Sequence, residues 1–158
     1  MNLADPLVKV SGEDKRVQKL ARALELLRTR SFEEIDQITW RKRLLWYQAN
    51  QQQIHLTGSE PRKAFDLFFK HYAFVPPSTV QIVAETEKEI VWHSSNWCPY
   101  LEACREMGID TRFFCRMGHE RCMDSFVKLV NKKLQFSRNY EQLRPYCDFC
   151  EERIVLTK

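Results

Sequence analysis

The chain has 158 residues, 44% of them hydrophobic and 29% charged, which suits one ordinary globular domain. Its net charge of +4 is uneven: residues 1–78 hold 13 Lys and Arg against 9 Asp and Glu, and residues 79–158 hold 12 against 12. A mild basic excess mixed with acids lacks the dense one-sign patch expected of a nucleic-acid binder. No run nears the ~18 apolar residues of a membrane span. Residues 1–10 lack the charged-then-apolar pattern of an export signal, so a cytoplasmic location is expected.

In chain order, Ser11 is placed to cap a first helix to about Arg30, with Val17, Leu20, Ala21, Leu24 and Leu27 at three-and-four spacing. Ser31 and Glu34 form a capping-box pattern that opens a second helix, whose apolar face carries Ile35, Ile38, Leu45, Trp46 and Ala49. Trp40-Arg41-Lys42-Arg43 and Trp46-Tyr47 interleave aromatic and basic residues. At helical spacing the aromatics read as core and the charges as a solvated face, although some single-strand binders use such a pattern. Gly58, Ser59 and Pro61 start a third helix with an aromatic stripe of Phe65, Phe68, Phe69 and Tyr72. Such a stripe is core, or with Phe65 and Phe69 the wall of an apolar ligand pocket.

Pro76 and Pro77 end the helical part. Residues 79–84 and 89–93 read as a hairpin. Pro99 starts a short helix that Gly108 ends, with Cys98 near its N-cap. A further helix is expected over 111–130, open to interruption at Gly118, and strands over 134–140 and 149–156 close the chain around a turn with Pro145. The fold class is therefore α+β: N-terminal helices (1–75) packed on a small antiparallel sheet within a cysteine-rich C-terminal half (79–156), all in a single domain.

All six cysteines, at 98, 104, 115, 122, 147 and 150, fall in the last 61 residues. Clustered thiols in a reducing compartment serve as metal ligands, redox centres or buried small hydrophobes more often than as disulfides. At about 100° per residue, His119 lies about 40° and Cys122 about 20° from Cys115, so a continuous helix puts all three on one face. Thiolate plus imidazole is a donor set that zinc or an iron or iron-sulfur centre selects. Cys147 and Cys150 form a C-x-x-C that two-sidedly ligates from a turn, whereas a strand would leave only one thiol facing the site. Cys98, at a helix start where partial positive charge favours a thiolate, is a nucleophile or a first ligand. Cys104 shares an apolar face with Leu101 and Met107 and reads as core. The metal candidates are thus Cys98, Cys115, His119, Cys122, Cys147 and Cys150, with zinc or an iron-sulfur cluster as the cofactor. His93 is close enough in sequence to reach the same site; His55 and His71 read as structural or exposed.

The hairpin, Asn96-Trp97-Cys98-Pro99, the helix ending at Gly108, the cysteine-bearing helix, Asn131-Lys132-Lys133-Leu134-Gln135-Phe136 and the closing Tyr146-Cys147-Asp148-Phe149 resemble the L-2-amino-thiazoline-4-carboxylate hydrolase-like family. The layout is also similar to 4-vinyl reductase-type small-molecule-binding domains. The resemblance covers about residues 79–156 and implies helices against an antiparallel sheet and a cysteine-centred site built from Cys98, the 115–122 helix and Cys147. The chain departs from it at Arg144-Pro145-Tyr146, where a Gly-Asp turn is expected.

Of three functions compatible with these residues, the one the sequence favours is a metal-binding or iron-sulfur small-molecule-binding domain. The second is a hydrolase of a small cyclic amidine or amide-like compound, with Cys98 as nucleophile, His119 or His93 as base, and Glu102 or Asp148 orienting the base, or with a metal-bound hydroxide. The third is a protein-interaction module. The expected partner is a small-molecule ligand or substrate, with a homodimer left open.

Overall fold

A computed structural model describes residues 12–158. The cap expected at Ser11 lies outside them. The architecture is α+β, with six helices among the described residues and a four-stranded antiparallel sheet.

Helix α1 (Gly12–Thr29) buries Ala23, Leu26 and Leu27, a face turned by part of a turn from the expected one, and leaves Val17 63% exposed. Helix α2 (Phe32–Asn50) starts with the expected capping box: Ser31 Oγ accepts from the Glu34 amide, and Glu34 Oε2 accepts from the Ser31 amide at 2.8 Å. Its buried residues include two charged ones, Asp36 and Arg43, whereas Leu45 is exposed. Helix α3 (Glu60–Asp66) is capped by Ser59 and has Pro61 in its first turn, as expected. It widens into a π-helical turn, Leu67–Tyr72, closed by the Ala73 amide on the Phe68 carbonyl.

Strands β1 (Val80–Glu85) and β2 (Glu89–Ser94) form the expected hairpin, with a bulge between Ile82 and Ala84. Helix α4 (Pro99–Met107) ends at Gly108, whose φ of 67° is the left-handed conformation that glycine adopts without cost. The helix expected over 111–130 is two: α5 (Thr111–Gly118) and α6 (Glu120–Val127), separated at His119 by a backbone of φ −146°, ψ −31°. The break falls one residue past Gly118, where the sequence leaves the helix open to interruption, and a local and a tertiary contact flank it. A Cβ on Gly118 would stand 2.6 Å from the buried Phe114 ring, so only glycine lets the chain pass there. The carboxylate of Asp36 reaches from α2 to accept the Cys122 amide at 2.8 Å, capping the freed start of α6. Strands β3 (Leu134–Asn139) and β4 (Cys150–Leu156) complete the sheet in the order β1-β2-β4-β3.

Register fixes which residues face the helices. Ile90, Ile154 and Phe136 lie side by side across β2, β4 and β3, and the next inward row is Trp92, Glu152 and Arg138. Ser94 and Cys150 follow. The inner face therefore grades from apolar at one end to polar at the other. On the apolar end, Phe65, Phe69, Met123 and Val127 pack on Trp92, Ile90, Leu134, Phe136 and Ile154. A second core joins α1, α2, α4 and α5 through Leu26, Leu27, Ile35, Ala103, Cys104 and Phe114. Cys104 is fully buried there, as its apolar helical face predicts.

Candidate functional site

The polar end of the sheet meets α5, α6 and α2 in a buried hydrogen-bonded chain. Arg138, 4% exposed at its side chain, donates from Nη2 to Glu152 at 2.8 Å and from Nε at 3.0 Å. Trp92 Nε1 donates to the other Glu152 oxygen at 2.9 Å. From there Arg138 Nη2 lies 3.2 Å from His119 Nδ1, and Arg43 Nη2 lies 3.0 Å from His119 Nε2. Arg43 Nη1 donates to Cys122 Sγ at 3.4 Å, and that thiol donates to the His119 carbonyl.

Arg43 belongs to the basic run read in sequence as solvated; Arg41 and Lys42 are exposed, but Arg43 is 4% exposed. It is held by ring faces: its guanidinium stands 5.1 Å from the Phe68 centroid, 5.6 Å from Tyr72 and 5.9 Å from Phe126. Its Nε has no hydrogen-bond partner among the described residues. Burial, then Arg43 and Arg138, hold the His119 imidazole well below its ordinary pKa, so the ring is neutral. A neutral imidazole accepts one hydrogen bond and donates one. It therefore satisfies only one of the two guanidinium groups, and neither ring nitrogen is free for a metal or a substrate proton.

The trio Cys115, His119 and Cys122 depended on a continuous helix, which the break at His119 removes. Cys122 is fully buried against Arg43, and burial pushes its thiol up to about 11. Cys115 is half-buried; its carbonyl accepts from Arg138 Nη1, and burial pushes its thiol up to about 12.

A second group forms where β4 starts. Cys150 pairs in register with Ser94, on the face turned to the helices. Arg144 donates from Nε to Cys150 Sγ at 3.3 Å and from Nη1 to the Asn96 carbonyl at 2.6 Å. Cys98 is the N-cap of α4, two residues after Asn96. Burial raises its pKa most; the Leu101 amide, Arg144 and the Tyr100 amide oppose that, and Cys150 adds to it. Cys98 is thus a thiol at rest, beside a guanidinium and a helix start. Cys115 is also coupled to this pair, since Cys98 and Cys150 both raise its pKa.

The Cys147 thiol donates to the Phe149 carbonyl at 2.9 Å inside the turn, whereas Cys150 Sγ accepts from Arg144. Among the described residues no three His, Cys, Asp or Glu side chains are grouped as a metal would need. His93 lies on the outer sheet face, between the inward Trp92 and Ser94, bonded to Glu151 at 2.8 Å and stacked on Phe149 at 3.8 Å. Glu102 pairs with Arg105 and Asp148 is exposed. Phe65 and Phe69 pack on Trp92 at 5.1 and 5.6 Å and fill the core. A surface depression of about 500 Å³ on the sheet is lined by Glu89, Val91, Ser137, Arg138, Asn139, Glu151, Glu152 and Arg153, with no cysteine among them.

Sequence reasoning missed Arg43, Arg138, Arg144 and Glu152. For Arg138 and Glu152 a signal existed: in Leu134-x-Phe136-x-Arg138 and Glu152-x-Ile154 the charges fall on the buried phase of the strand alternation. Nothing local marks Arg43 or Arg144.

The fold and site define a class: an α+β domain whose sheet ends in a guanidinium-bearing, cysteine-lined polar face. No family model matches the chain, and no curated protein matches it. No helix among the described residues is long and apolar enough to cross a membrane.

Proposed function

We propose that this protein is a small-molecule-binding domain that hydrolyses a C–N bond of a small cyclic amidine or amide-like compound, with Cys98 as nucleophile. The observation that carries this reading is Arg144, held by the Asn96 carbonyl and Cys150 Sγ, acting on a thiol at the start of α4. A guanidinium and helix amides lower the cost of a thiolate, and the same charges favour an anionic group on a ligand. Both histidines are otherwise engaged, so the Cys98 proton passes to the basic ring nitrogen of the substrate as sulfur adds to its carbon. The C–N bond then breaks with the proton on the leaving nitrogen, and water releases the group from sulfur. The resemblance to thiazoline-carboxylate hydrolases supports the substrate class. The test is turnover of thiazoline carboxylates and related cyclic amidines by reduced, metal-free protein. Turnover that stops when Cys98 alone is alkylated supports the reading; no ring opening of any such compound removes it.

A second reading, a metal-binding small-molecule domain, draws on Cys98, Cys115 and Cys150, thiols from three elements, of which Cys150 acts on Cys98 and both act on Cys115. Soft thiolates suit zinc or an iron-sulfur centre. His119 and Cys122 do not fit such a set, because Arg43 and Arg138 occupy their polar atoms and add positive charge. Metal analysis of anaerobically purified protein decides it: a stoichiometric transition metal lost in Cys98→Ser, Cys115→Ser and Cys150→Ser favours this reading, and a trace amount excludes it.

A further inference from the structure

We propose that Cys98 and Cys150 form a redox-controlled pair, joined as a disulfide by a hydroperoxide and thereby switching the site off. The inference deepens the hydrolase reading, and rests on it for its functional consequence. All six cysteines are free, and both members of this pair are half-buried, neither sealed in the core like Cys104 and Cys122 nor fully open. Three geometric facts place them at the same end of the sheet, on either side of Arg144. Cys150 pairs in register with Ser94, and its carbonyl accepts from Ser94 Oγ at 3.5 Å. The chain returns from Ser94 to Cys98 in four residues. Arg144 spans the gap, touching Cys150 Sγ and the Asn96 carbonyl at once.

The other sulfurs are less suited. Cys147 turns its thiol to the Phe149 carbonyl, and Cys122 is bonded to Arg43 and to the His119 carbonyl. Cys150, with the Arg144 Nε–H 3.3 Å from its sulfur and no backbone carbonyl among the described residues taking its thiol proton, is the attacking member of the pair. Its thiolate attacks the peroxide: a sulfur–oxygen bond forms, the oxygen–oxygen bond breaks, and hydroxide or alkoxide leaves and takes up a proton. The Cys98 thiol then attacks the sulfenic sulfur, forming the disulfide and releasing water. Two thiols are oxidised, one hydroperoxide is reduced, and the nucleophile proposed for hydrolysis is consumed.

The experiment treats the fully reduced full-length chain with one equivalent of hydrogen peroxide and maps the peptides without reduction. The expected result is the loss of two of the six thiols, a Cys98–Cys150 cross-link, and turnover that is lost on oxidation and restored by a dithiol reductant. Cys147→Ser keeps the cross-link and Cys150→Ser abolishes it. A Cys147–Cys150 link, or over-oxidised Cys150 without a link in the folded wild type, overturns the proposal. If the cross-link forms but reduced Cys98→Ser still turns substrate over, the hydrolase reading fails and the redox pair stands. If reduced protein is active and no link forms, the reverse holds.

Discussion

His119 Nε2 stands 3.0 Å from Arg43 Nη2, and the other ring nitrogen of the same histidine faces a second buried arginine. A proton on this imidazole would add a third positive charge in a region shielded from water. The ring is therefore neutral in the folded protein, with a pKa well below 6.5, whereas in the unfolded chain it titrates normally. Between the two values the unfolded state binds more protons, so stability rises with pH and is lost as pH falls below about 6.5. Denaturant unfolding at neutral and mildly acidic pH measures this: His119→Gln is expected to lose less stability than wild type over that interval. An unchanged acid dependence would place the sensitivity elsewhere.

The thiols set the alkaline limit by the opposite sign. Burial raises Cys115 to about 12 and Cys122 to about 11, above the ordinary thiol value of 9.0, and Tyr100 to about 12 from 10.0. Above pH 9 the unfolded chain gives up these protons first, so stability is full below that point and falls as pH rises toward 11 to 12. Unfolding curves on the alkaline side should show this fall, reduced in Cys122→Ala relative to its own stability at pH 7.

Glu152 is the counter-charge of Arg138 and the acceptor of the Trp92 indole. Glu152→Ala leaves a guanidinium buried without a carboxylate, and a loss of about 3–5 kcal/mol is expected in chemical denaturation. Glu152→Gln keeps the acceptors and should lose less.

Gly118→Ala forces a methyl group against the Phe114 ring, and a loss of about 1–3 kcal/mol is expected by thermal or denaturant unfolding. Asp36→Ala removes the cap of α6 and should cost about 0.5–2 kcal/mol, with Asp36→Asn milder.

What could be read in the sequence was local. The Ser31–Glu34 capping box, the Pro99 start and Gly108 end of α4, the hairpin and the burial of Cys104 depend on residues within a few positions of each other, and each is present in the fold. The interruption after Gly118 was legible from that glycine, but the cap of the second helix was not, since Asp36 is 86 positions from the amide it accepts. Arg43 was read as solvent-facing because a charge in an amphipathic helix ordinarily is; aromatic rings from the π-helical turn and from α6, with the imidazole of His119, reverse that. The cysteine-rich region was legible as a region. Its grouping was not, since Arg144, rather than any sequence spacing, ties Cys150 to the segment that leads into Cys98.

The role of Cys98 as nucleophile is tested most directly by trapping. Reduced, metal-free protein is mixed with a thiazoline carboxylate, quenched in acid within one turnover, and digested for mass spectrometry. A ring-opened substrate fragment on the peptide carrying Cys98, absent from Cys98→Ala together with turnover, is the predicted result. Full-rate turnover by Cys98→Ala, with no sulfur adduct in wild type, would contradict it.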